Sequence, residues 1–158
     1  MAGIAVMGST VALAGCGFQR RQPPSLRFGS IALVGFAPDS PLRVELARQL
    51  GAQVQVLDSP AQADVVLQAL DDREDTTVVA QTAFAQVREV RLLRSFGFKA
   101  AARDGTELVP PTQQQLARNL TYSETAVLAK EAETREIYRA MDIDIAGQVL
   151  RRLAALLR

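Results

Sequence analysis

The stretch Gln86–Ala102, QVREVRLLRSFGFKAAA, decides the fold. Val90, Leu92, Phe96, Phe98, Ala100 and Ala102 fall on one parity, and Glu89, Arg91, Ser95, Gly97 and Lys99 on the other. Alternation at period two is the pattern of a strand with one face in a core and one in water. Arg88 and Arg94 share the apolar parity, which predicts that they sit near the strand ends or reach back to solvent along their aliphatic stems. Arg103-Asp104-Gly105-Thr106 follows at once. Asp-Gly is a hairpin signal, so the next strand, from about Glu107 to Tyr122, returns beside the first. Pro110 and Pro111 inside it cannot donate ladder hydrogen bonds, which makes it an edge strand or a bulged one.

Working outward, Leu26–Phe36 reads as a first strand, with Ile31, Leu33 and Val34 mostly buried. Ser40 is a helix N-cap and Pro41 the first helical residue. Leu42, Leu46 and Leu50 recur on one helical face, and Gly51 stands where a C′ glycine belongs. Ala63–Ala80 is extended, with a polar interruption at Asp71–Asp75. At the C-terminal end, Thr121-x-x-Glu124 is a capping box. After it, Ile137, Met141, Ile145, Val149 and Leu153 line one face of a long helix reaching Leu157. The order is β-α-β-β-β-α. The expected fold is α+β: a small, mostly antiparallel sheet of about four strands with two helices packed on one face.

Composition excludes several functions. The 158 residues contain no histidine and one cysteine. A Ser-His-Asp or Cys-His arrangement, a His-ligated zinc and an internal disulfide are therefore all impossible. No serine lies in a Gly-x-Ser-x-Gly elbow, and there is no glycine-rich phosphate loop. The reading is non-enzymatic, with no catalytic residue and no metal site. Asp71, Asp72, Glu74 and Asp75 around Arg73 lack the glycine and distal glutamate of a calcium loop and read as a solvated kink or turn. Eighteen Lys+Arg against 17 Asp+Glu leave a formal charge of +1, too balanced for a nucleic-acid surface.

The single cysteine has a particular setting. Met1–Gly15 is uncharged, and its apolar run from Ile4 to Leu13 is too short to span a bilayer but suits the hydrophobic region of an export signal. Leu13-Ala14-Gly15-Cys16 is the pattern of a bacterial lipobox. The chain then divides into a signal peptide (1–15), a lipidated tether (16–25) and one domain (26–158). Cys16 is the expected lipid attachment point, the covalent lipid being the only added group and no other cofactor being called for. Attached acyl chains anchor stably at about 0.8 kcal/mol per buried methylene, provided there are at least two. Gly17, in lipoproteins of this kind, points to the outer membrane rather than inner-membrane retention. Along the 86–103 strand, Arg88, Arg91, Arg94, Lys99 and Arg103 face only Glu89, which makes a basic sheet face a candidate for meeting phosphates or sugar acids.

Several stretches in order resemble the lipopolysaccharide-assembly lipoprotein family, LptE. They are Cys16-Gly17-Phe18-Gln19-Arg20, Ala63-Asp64-Val65-Val66-Leu67, Val87-Arg88-Glu89-Val90, Leu108-Val109-Pro110-Pro111-Thr112, Leu120-Thr121-Tyr122-Ser123 followed by Val127–Glu133, and Ile145–Leu153 with paired Arg151-Arg152. Arg20 stands where the family often carries Leu, and Val90 where it often carries Tyr. The resemblance implies a sheet with two helices on one face. It also implies a lipoprotein that assists folding of, and plugs, the outer-membrane β-barrel LptD, binds lipopolysaccharide and helps deliver it to the outer leaflet. Arg91, Arg94 and Lys99 are then the candidate lipopolysaccharide ligands, and Pro110 and Pro111 the candidate barrel contact. An auxiliary periplasmic lipoprotein of an ABC-type lipid or solute transporter is the alternative.

Overall fold

Ser40 starts the first helix as its sequence requires: its hydroxyl accepts from the Arg43 N–H at 3.1 Å, and Pro41 leads α1 (Pro41–Gly51). Leu42, Leu46 and Leu50 are its buried residues. Gly51 is the last helical residue rather than the residue beyond it, and Ala52 caps the helix in right-handed geometry. The computed structural model describes residues 25–84, 86–121 and 127–156. The signal peptide, Cys16, the rest of the tether to Pro24, and Glu124 of the capping box lie outside the described residues.

Five strands form one mixed sheet: β1 (Ser30–Val34), β2 (Gln55–Leu57), β3 (Val65–Gln81), β4 (Val87–Ala102) and β5 (Glu107–Thr121), in the order β2-β1-β3-β4-β5. β1 runs parallel to β2 and β3, whereas β3, β4 and β5 form an antiparallel meander. The α+β class holds, with five strands in place of four. β2 escapes the sequence because it is three residues long and only partly buried. The long C-terminal helix, α2 (Val127–Leu156), runs unbroken through Gly147. The helices meet the sheet in one apolar cluster, where Leu42, Leu46 and Leu50 of α1 and Ile145, Val149 and Leu153 of α2 join Ile31, Leu67, Phe96 and Phe98. Phe96 stacks on Phe98 with ring centroids 5.4 Å apart. A second cluster, farther along the meander, gathers Val90, Leu92, Leu120, Tyr138 and Met141.

Three local devices fix this arrangement. The first is Asp64, just before β3. Its Oδ2 accepts from the Ser30 hydroxyl (2.9 Å) and from the backbone N–H groups of Ser30 (2.9 Å) and Gly29 (3.1 Å), and Arg103 reaches its other oxygen at 3.2 Å. The Ser30 hydrogen bond above all, helped by the two backbone donors, holds this carboxyl below its ordinary range. The second is Gly35, at φ +81°, where a Cβ would stand 2.6 Å from the Ala69 carbonyl oxygen; only glycine lets β1 leave the sheet there. The third is the hairpin turn at Gly105, φ +87°, closed by Ala102 N–H donating to Thr106 O at 2.8 Å.

The acidic segment at Asp71–Asp75 is neither a turn nor a break. β3 runs straight through it, with one register shift between Ala69 and Asp71. The extra residue, Leu70, changes which parity faces the helices. Val65, Leu67 and Ala69 face inward before it, while Asp72, Glu74 and Thr76 sit opposite the inward Phe96, Arg94 and Leu92 after it. Carboxylates are thereby turned toward the core beneath α2, where a cation is needed.

Arg94 is that cation. It is 1% exposed in mid-strand, so it neither lies at a strand end nor reaches solvent. Its Nε donates to Asp142 Oδ1 of α2 at 2.7 Å, its Nη2 to Asp72 Oδ1 at 2.5 Å, and its Nη1 to the Arg73 and Ser95 carbonyls at 3.0 and 3.1 Å. Asp72 accepts in turn from the Ser40 hydroxyl at 2.6 Å. One guanidinium thus ties the N-cap of α1, β3, β4 and the middle of α2 together. One turn earlier on α2, the Tyr138 hydroxyl donates to the Asp75 carbonyl at 2.7 Å and lies 3.1 Å from Thr76 Oγ1. Glu74 stands 3.9 Å from Arg94 as a third, looser carboxylate. Burial pushes the carboxyls of Asp142 and Glu74 above their ordinary values, and the nearby guanidinium only partly offsets it.

Two outcomes follow. Arg94→Met strands two carboxylates and is expected to cost roughly 3–5 kcal/mol in denaturant unfolding, with part recovered in Arg94→Met/Asp142→Leu. A single-variant cost within 0.5 kcal/mol of wild type would contradict the role given to the network. For Glu74, a raised folded pKa means the fold binds the proton more tightly than the unfolded chain, so its contribution to stability falls as pH rises from the ordinary value of 4.5 through the folded one. Glu74→Gln should therefore raise Tm at pH 7, and the gain should vanish below about pH 4.

Candidate functional site

The sheet has one face under the helices and one open face. The open face carries the odd-numbered residues of β4 and their partners: Arg91 opposite Thr77 and Asn119, Ser95 opposite Arg73 and Gln115, Gly97 opposite Asp71 and Gln113, and Lys99 opposite Gln68. It is polar and mixed in charge rather than basic. Arg73 grips Asp71 at 2.6 Å, and Gln113 donates to the same carboxylate at 3.0 Å. These bonds, Arg73 first, hold the Asp71 carboxyl below its usual range.

The three cations singled out from the sequence do not form one site. Arg94 is withdrawn from the candidate ligand set, because it is buried on the helix side with its donors committed inside the fold. Arg91 is exposed; its Nε donates to Asn119 Oδ1 at 3.3 Å, and Asn119 donates to Glu89 at 2.8 Å. Lys99 is half-buried and lies eight residues along β4, roughly 26 Å away at the rise of a strand. Neither Arg91 nor Lys99 has an ion-pair partner among the described residues. Pro110 and Pro111 are exposed and fall in a register shift, where Thr112 pairs with Phe98 and Val109 with Ala100. The edge and the bulge that proline demands are both present there.

Sequence reasoning passed over the tip where β3 turns into β4. Phe84 is 88% exposed, and Val78 and Val79 on the approach to it are 44% and 41% exposed. Arg88, also exposed, and Arg91 rise from the same end of β4. β5 ends here as well, since Thr121 pairs with Glu89. Phe84 lies outside any strand period, and that isolation was the one available signal. The tip therefore combines exposed apolar side chains with exposed arginines on the two faces of β4, a combination suited to an amphiphile with anionic groups.

On the helix side, a groove of about 540 Å³ opens between α1, α2 and β3. Pro41, Val44 and Tyr138 supply its apolar parts, and Glu45, Arg48, Glu74, Arg135, Arg139 and Asp142 its charges. Arg48 holds Glu45 at 2.5 Å and keeps that carboxyl below its ordinary range. Among the described residues, no group of three or more His, Cys, Asp or Glu could hold a metal ion, and no helix is long and apolar enough to cross a membrane.

This fold recurs in solved structures. An uncharacterized lipoprotein B of Nitrosomonas europaea superposes with a TM-score of 0.73 at 22% identity, covering 88% of this chain and 91% of its own. A minor lipoprotein of Acinetobacter baumannii gives 0.66 at 23% identity, over 82% and 93% of the two chains. The rare lipoprotein B of Shewanella oneidensis gives 0.68 at 19% identity, over 80% and 95%. At these identities the likeness is one of fold. No curated protein matches the chain. The family model described as LptE, lipopolysaccharide-assembly, matches residues 28–153, from the approach to β1 to the last core leucine of α2. The chain belongs to the LptE lipopolysaccharide-assembly family.

Proposed function

We propose that the protein is an outer-membrane lipoprotein, anchored through lipid on Cys16. It assembles with and plugs an LptD-type β-barrel, binds lipopolysaccharide and assists its delivery to the outer leaflet. Family membership over residues 28–153 is the observation that carries the reading. The surface supports it in two ways. A plug in a barrel lumen needs a folded domain with a hydrophilic exterior, and the open sheet face, with its Gln, Asn, Thr, Asp and Arg side chains, is of that kind. A ligand for a phosphorylated glycolipid needs cations beside apolar surface, and at this end of β4 Arg88 on one face and Arg91 on the other are both exposed, with the exposed Phe84 in the turn before them. Lys99, far from that tip, serves as a separate contact, and Pro110-Pro111 as a contact with the barrel wall.

The transporter-accessory reading needs an apolar cavity for an acyl chain. The interhelical groove carries six charged side chains, and no specific observation favours that reading.

Mild detergent extraction of outer membranes should recover the protein bound to a large β-barrel; recovery as free monomer alone would overturn the assembly role. Lipopolysaccharide binding by the purified protein should fall about tenfold or more in Arg88→Glu/Arg91→Glu and less in Lys99→Glu, with melting curves unchanged. Equal affinity in all three proteins would remove the cationic-tip proposal while leaving the plug role standing.

A further inference from the structure

β5 closes the sheet, and its outer edge has no strand beside it among the described residues. From Thr112 to Thr121 it pairs with β4 residue for residue, Phe98 back to Glu89, with no register shift. Ten residues therefore present an unbroken row of alternating outward N–H and C=O groups, about 33 Å long. Edges of this length are normally blunted by charge, proline, a bulge or a covering segment. Here the prolines and the register shift lie at one end, Thr112–Ala117 reads TQQQLA, with neither charge nor proline, and the one charged side chain of the stretch, Arg118, donates to the Ala117 carbonyl at 2.9 Å and lies 3.6 Å from Asp144 of α2. The glutamines do not shield the edge. Gln113 and Gln115 lie back across the open face to Asp71 (3.0 Å) and Ser95 (3.3 Å), and Gln114 Oε1 is buried without a hydrogen-bond partner. The opposite edge, β2, is only three residues long.

We propose that the Thr112–Thr121 edge receives an added strand: an extended segment of the barrel partner's polypeptide that continues the sheet beyond β5. The inference rests on the barrel-partner reading above. Backbone pairing supplies affinity that is tolerant of the incoming sequence, which suits an edge whose one charged side chain, Arg118, is paired with Asp144 of α2. The occupant follows from size. A single ten-residue ladder falls short of the roughly 800 Å² per partner that a stable complex buries, so it does not hold a free second copy of this chain. A segment of a partner that already surrounds the domain is held at high effective concentration, and there a narrow ladder suffices.

Amide hydrogen exchange of the full chain, free and in the complex with its barrel, tests the proposal. Alternate amides of Thr112–Thr121 should exchange freely in the isolated protein and slow by about tenfold or more in the complex. The intervening amides, already bonded to β4, should change little. Gln114→Pro and Gln115→Pro form a second arm, since one of these adjacent N–H groups points outward. The variant that keeps the wild-type melting temperature should recover several-fold less barrel. Unchanged exchange along this edge within an intact complex, or full barrel recovery by the folded proline variant, overturns the added strand and leaves the plug role standing. Failure of the wild-type protein to recover any barrel overturns the partner reading and this inference together. Edge protection that appears in the isolated protein alongside a dimer in sedimentation assigns the edge to a second copy and overturns the proposal.

Discussion

One buried guanidinium holds the architecture in register. Arg94 occupies a mid-strand, inward position where an apolar residue would ordinarily sit, between the cluster around Phe96 and the one around Leu92. A lone cation there would be prohibitively costly, so the fold assembles Asp72 and Asp142 around it and satisfies the rest with backbone carbonyls. Each element must then sit in one place. β3 must bulge at Leu70 to turn Asp72 inward, α2 must present Asp142 at the right height, and Ser40 must divide its hydroxyl between capping α1 and holding Asp72. Apolar packing alone would tolerate a sliding helix; three carboxylates around one guanidinium would not.

This constraint divides the molecule into two ends. Near Phe96 and Phe98 the sheet packs its inner face against both helices. Beyond Arg94 the meander carries the second cluster, with Tyr138 and Met141 of α2, and ends at a tip where Val78, Val79, Phe84 and Arg88 are exposed. The open face is knitted by Arg73–Asp71, Gln113–Asp71 and Asn119–Glu89 bonds that leave it hydrophilic. The domain is thus polar along one face and amphiphilic at its tip, the two features on which the proposed function draws.

Period-two patterning made β4 legible to within a residue of its bounds, and the Asp-Gly turn and the proline-marked edge followed from local chemistry at Gly105 and Pro110-Pro111. Ser40, Pro41 and the leucine spacing did the same for α1. What stayed hidden depends on contacts between distant segments. An arginine on an apolar parity looks like a snorkelling side chain until the carboxylates of Asp72 and Asp142, 22 positions upstream and 48 downstream, are brought to it. The Leu70 bulge that makes this possible has no sequence signature, so Asp71–Asp75 reads as a solvated kink. β2 has too few residues to show a period. For the candidate site, Arg91 and Lys99 share the open parity, but strand geometry sets them eight residues apart along β4. Phe84 carries no periodic signal at all.

The central functional claim is that the tip of the meander, not the open face or the groove, meets lipopolysaccharide. The most direct measurement is the change in backbone amide NMR shifts when lipopolysaccharide is titrated into isotope-labelled protein. The account predicts perturbations concentrated at Val78–Arg91, smaller ones at Lys99, and none in the lining of the interhelical groove. Perturbations centred on Lys99 or on the groove, with Phe84, Arg88 and Arg91 silent, would contradict it.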